Sequence, residues 1–81
     1  MSFTQARAHE AQYMIIVKSD DGHTILKQWA KEQGVQGATF ENNRMKLYES
    51  ASLHKFMVTY RGNWSNILIW DCWNRRHIDQ I

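Results

Sequence analysis

Tyr13-Met14-Ile15-Ile16-Val17-Lys18 is the stretch on which the reading of the fold turns. β-Branched and aromatic residues crowd it, which is the composition of a strand. Apolar residues fill both alternating sets, so the strand is expected to be buried on two sides, in the middle of a sheet. Ser19-Asp20-Asp21-Gly22 follows as a turn, in which the Asp21 carboxylate is expected to accept from the first-turn amides of a helix. Ile25, Leu26, Trp29 and Ala30 then recur at helical spacing, with Lys27, Gln28, Lys31 and Glu32 opposite. Gly34 stands where a left-handed cap wants glycine. The spacing predicts a helix over Gly22–Gln33.

Working outward, Gln36–Glu41 and Arg44–Glu49 read as two strands joined by Asn42-Asn43. Asparagine tolerates positive φ better than most residues, and a two-residue loop suits a tight hairpin. Ser50 is expected to cap a second helix. Its apolar stripe is Leu53, Phe56, Met57 and Tyr60, spaced i, i+3, i+4 and i+7, and Gly62 is expected to end it. Asn66–Trp70 reads as the last strand. Residues 1–12 read as a flexible or weakly helical arm, 13–73 as one domain and 74–81 as a polar tail. Strand, helix, strand, strand, helix, strand is the order of the ferredoxin-like α+β fold. It predicts a four-stranded antiparallel sheet, two helices on one face, and the first and third strands in the middle.

The chain has 81 residues, with 10 Lys+Arg against 8 Asp+Glu. That length holds one domain with a small core. The charges are scattered, without the basic stripe of a strong nucleic-acid binder or the acidic excess of a DNA mimic. Cys72 is the single cysteine, so no intramolecular disulfide forms, and a reducing compartment, the cytoplasm, is expected. Tyr13–Val17 is the longest apolar run and is far too short to cross a bilayer. No membrane partner is expected.

Catalytic chemistry finds little support. Val35-Gln36-Gly37 is similar to part of the phosphate loop of acylphosphatases, which share this fold and length. It follows the first helix instead of the first strand, and no arginine comes after it to clamp a phosphoryl group. Cys72 and His77 supply two ligands where a metal needs three or four. Asp20-Asp21 is spent on a turn. No enzyme activity, cofactor or metal is expected.

Binding finds more. Trp64, Trp70 and Trp73 cluster near the C-terminus with Arg75 and Arg76 beside them, and tryptophan and arginine are the residues that anchor interfaces. The apolar last strand, read as an edge, also invites pairing with another chain, including a homodimer partner. The third strand reads Arg44-Met45-Lys46-Leu47-Tyr48. Met45 and Leu47 suit the core, which puts Lys46 and Tyr48 on the open sheet face. RNA-binding domains of this fold use that face, with a glycine and a second aromatic that this strand lacks. Single-stranded nucleic acid is therefore the alternative ligand.

From Tyr13 to Trp73 the chain resembles the small accessory proteins of bacteriophages, anti-CRISPR and other anti-defence inhibitors among them. Like them it is one domain with few cysteines and no catalytic set, although many of them are acidic and this chain is slightly basic. The resemblance implies a non-catalytic protein that binds a larger host protein or complex and blocks it.

Overall fold

The structure, a computed structural model, describes residues 11–78. Strand β1 (Tyr13–Val17) leads into helix α1 (Gly22–Gln33), strands β2 (Thr39–Glu41) and β3 (Arg44–Leu47), and helix α2 (Ser50–Thr59). A single 3₁₀ turn at Trp64–Asn66 precedes β4 (Ile67–Asp71), and β5 (Arg76–Ile78) closes the order. The result is a small α+β domain with one five-stranded sheet, ordered β2-β3-β1-β4-β5 and antiparallel throughout. As the doubly apolar sequence predicts, β1 is central, between β3 and β4.

The expectation of four strands is corrected by β5. Residues read as part of a polar tail pair with β4 instead, Ile69 opposite Ile78, Trp70 opposite His77 and Asp71 opposite Arg76. β4 is consequently not the sheet edge, because β5 takes up its outer hydrogen-bonding side. Three residues with one aliphatic side chain carry too little periodicity to announce a strand. What makes the hairpin is the turn before it. Asp71 accepts from the Asn74 amide at 3.3 Å and from Asn74 Nδ2 at 2.9 Å, and Arg75 adopts the left-handed conformation at φ 53°.

Register explains the core. Ile15, Val17, Met45, Leu47 and Ile69 all point to one side of the sheet and are buried there with Leu26, Trp29 and Ala30 of α1 and Leu53 and Phe56 of α2. Both helices therefore cover the same face. Phe56 is fully buried and stacks on Tyr60 at 4.8 Å between centroids, while Trp29 meets its ring edge-on at 4.9 Å. Trp29 Nε1 donates to Thr59 Oγ1 at 2.9 Å and ties α1 to α2. Burial, and then the charge of Asp21, raise the Tyr60 hydroxyl pKa above its ordinary value.

Helix ends follow the sequence in part. Gly34 caps α1 at φ 66°, its amide and the one after it bonded back to Lys31 and Ala30, a left-handed cap of the Schellman type. Asp21 holds the N-cap position of α1, but its carboxylate accepts from the Ser19 hydroxyl instead of a helix amide. Ser50 likewise does not cap α2, and its hydroxyl donates to Gln12 Oε1 at 3.0 Å. α2 stops at Thr59, short of Gly62, and a Cβ at Gly62 would run into the Tyr60 hydroxyl. A side chain there would have to displace the end of the Tyr60 ring. The N-terminal arm of the sequence reading falls mostly outside the described residues, but its end is fixed. Ala11 is buried, the Gln12 amide donates to Leu47 O, and Gln12 O accepts from Cys72 N.

Candidate interaction face

Alternation along the strands sends the even-numbered residues of β1, β3 and β4 away from both helices. Register then lines them up. Thr39, Lys46, Met14, Trp70 and His77 form one row across all five strands, and Glu41, Arg44, Ile16 and Leu68 form the next. Met14, Ile16, Leu68 and Trp70 are partly buried by their strand neighbours and do not join the core cluster. They make an aliphatic centre with an indole on one side. Arg44 and Lys46 stand exposed on the β3 side of it. Tyr48 continues that alternation just past β3, 39% exposed, with its hydroxyl 3.2 Å from Thr39 Oγ1.

Trp70 is placed by β5. The His77 ring meets it edge-on, 5.1 Å between centroids and 88° between planes. An edge-on aromatic pair is a favourable arrangement, and it sets the His77 ring against one side of the indole.

The residues singled out by sequence separate into three places. Trp64 belongs to the core side, its ring 5.5 Å from Phe56 and 5.2 Å from Tyr60. Trp70 lies on the open face with Lys46 and Tyr48. Trp73 and Arg75 sit in the turn between β4 and β5, Trp73 partly buried and Arg75 exposed. Arg76 lies on β5 with its Nε 3.7 Å from the Asp71 carboxylate. The three tryptophans do not form one patch. The structure adds Met14, Ile16 and Leu68 to the face, and His77 as the neighbour of Trp70. Their signal was present in the sequence as the second alternating set of each strand, but it could be assigned to a face only once the register was known.

Asp71 anchors this corner from the other side of the sheet and is 3% exposed. Burial alone would raise its carboxyl. The side chain and amide of Asn74, the charge of Arg76 and the amide of Trp73 outweigh that and hold it below the ordinary aspartate value.

A shallow, polar concavity lies away from this face. Ser19, Asp20, His23, Asn42 and Asn43 line it between the start of α1 and the β2–β3 turn, where the His23 ring nitrogen Nδ1 lies 2.8 Å from Asn42 O. Among the described residues no three His, Cys, Asp or Glu side chains come together as a metal site, and no helix is long and apolar enough to cross a membrane. Comparison with protein-family models, with curated proteins and with solved structures finds no match to this chain.

Proposed function

We propose that this protein is a non-catalytic protein-binding module, and that it acts in the cytoplasm by occupying a surface of a larger partner, in the manner of the bacteriophage inhibitors it resembles. The contact surface is the sheet face opposite the helices, with Trp70 as its anchor. The observation that carries this is the in-register row of Lys46, Met14, Trp70 and His77 on the face that neither helix covers. A partly exposed indole beside aliphatic side chains and cations has the make-up of an interface centre and its rim. The strand order β2-β3-β1-β4 with a helix in each crossover supports reading the fold as ferredoxin-like, with β5 added beyond β4. Trp73 and Arg75, in the β4–β5 turn, extend the contact along its border, while Arg76 pairs with Asp71 on the opposite side of the sheet.

The test is affinity capture from bacterial lysate by the tagged full chain and by Trp70→Ala, each with and without nuclease. A stoichiometric protein band that survives nuclease and disappears with Trp70→Ala is the expected result. A second reading, single-stranded nucleic acid on the same face, is favoured by the position of Lys46 and Tyr48 there. It predicts instead nucleic acid in the eluate and an affinity that falls steeply with salt.

A further inference from the structure

The open face is divided in charge, and the division says what should lie on it. Its middle is aliphatic, Met14 and Ile16 on the central strand with Leu68 beside them. Its β3 side carries Arg44 and Lys46, both exposed, and among the described residues neither has an ion-pair partner. Glu41, directly opposite Arg44, is the carboxylate in these rows. We infer that the occupant of this face is a protein segment presenting aliphatic or aromatic side chains over Trp70 and Leu68 and carboxylates over Arg44 and Lys46. The inference rests on the protein-binding reading and gives that partner a chemistry.

Two other occupants fit less well. Nucleic acid would satisfy the cations, but its bases need neighbouring aromatic rings to stack on, and Trp70 and Tyr48 are separated on this face by the methionine and isoleucine of the central strand. A second copy of this chain would bring the same cations to the contact, with Glu41 as its carboxylate in these rows. Like charges brought together across an interface are costly. An acidic, apolar segment pairs with Arg44, Lys46 and the apolar centre, and Glu41, on the edge strand β2, stays outside that match.

The experiment uses the full chain as bait for a displayed library of random dodecapeptides, in parallel with an Arg44→Glu/Lys46→Glu variant. Both side chains are exposed, so the variant is expected to fold, and its far-ultraviolet circular dichroism is compared with the parent. The parent should enrich peptides in which Asp or Glu alternates with aliphatic or aromatic residues. The variant should bind those peptides at least about tenfold more weakly and select basic ones in their place. Enrichment without carboxylates, equal binding by both baits, or no enrichment overturns the inference. So does tighter binding of a fluorescent oligo(dT) strand than of any peptide, or a parent that is dimeric by light scattering through this face. Captured lysate partners separate this failure from failure of the underlying reading. If Trp70→Ala loses the partner and the charge reversal keeps it, protein binding stands and the acidic segment does not. If both variants keep it, the open face is not the contact.

Discussion

Trp70 and His77 face each other across β4 and β5 with ring centroids 5.1 Å apart, on the side of the sheet that neither helix covers. The pair couples the last strand of the chain to the one tryptophan among the described residues that lies on the open face. A strand that looks like a trailing end in sequence thereby positions the candidate anchor.

The tryptophans should separate in mutagenesis. Trp70→Ala removes a partly exposed ring and one edge-on contact, and should lower stability by about 1 kcal/mol while abolishing partner capture. Trp64→Ala removes a ring packed on Phe56 and Tyr60, and should cost about 3 kcal/mol with binding retained by the fraction that folds. Urea denaturation of both variants, alongside the capture assay, reads the two effects separately.

Asp71 predicts an acid-sensitive corner. Its carboxyl titrates below the ordinary aspartate value in the folded protein. Its stabilising contribution is therefore complete above the unfolded pKa of about 3.9 and is lost as pH falls through the lower folded value. Asp71→Asn should flatten the dependence of the urea midpoint on pH below about 4. Asp71→Ala should cost about 1–2 kcal/mol at neutral pH, with hydrogen exchange accelerated first at Arg76–Ile78.

Gly22 and Gly34 should respond to alanine for different reasons. A Cβ at Gly22 would stand 2.7 Å from Asn43 Cβ and 2.8 Å from Val17 Cβ. Something must shift, and Gly22→Ala should cost about 1–3 kcal/mol and disturb amide chemical shifts at the Asn42-Asn43 turn. Gly34 meets nothing within 4 Å but has φ +66°. Gly34→Ala should cost about 1 kcal/mol, with shifts confined to the end of α1.

Trp29 and Thr59 join the two helices by a hydrogen bond of 2.9 Å, beside an exposed one from Lys55 Nζ to Gln33 O at 3.3 Å. Thr59→Val keeps the shape and removes the acceptor of a mostly buried indole N–H. A loss of about 1–2 kcal/mol is expected. Trp29→Phe/Thr59→Val should recover part of it in a double-mutant cycle, because no donor is then left without a partner.

Much of this architecture is legible in the sequence. β1 carries two apolar sets and is central as expected, but burial on both sides is corrected, because Ile15 and Val17 are buried under the helices while Met14 and Ile16 are only partly covered. α1 runs from Gly22 to Gln33 because its apolar spacing and its glycine cap agree. Asn42 takes the positive φ, 53°, that the hairpin reading allowed. The caps were less legible. Asp21 and Ser50 have the right side chains at the right ends, but Ser19 and Gln12 compete for them, and a short polar side chain takes whichever partner the fold brings nearest. β5 was not legible, since a polar three-residue strand exists only because β4 has an outer side to offer.

The candidate face divides along the same line. Sequence by itself determined the first four strands, both helices and the alternation within each of those strands, because these depend on neighbours a few residues away. It also determined that Lys46 and Tyr48 share a side, since they are two apart in one extended stretch, although β3 itself ends at Leu47. Only the tertiary structure decided which tryptophan meets them. Trp64 and Trp70 are equally apolar in sequence, but one turns under α2 and the other across the sheet. That choice is made by register, and a slip of one residue in β4 would exchange its two faces. Register is fixed by burying Ile69 under the helices and by the pairing of β4 with β1, whose partners lie far apart along the chain.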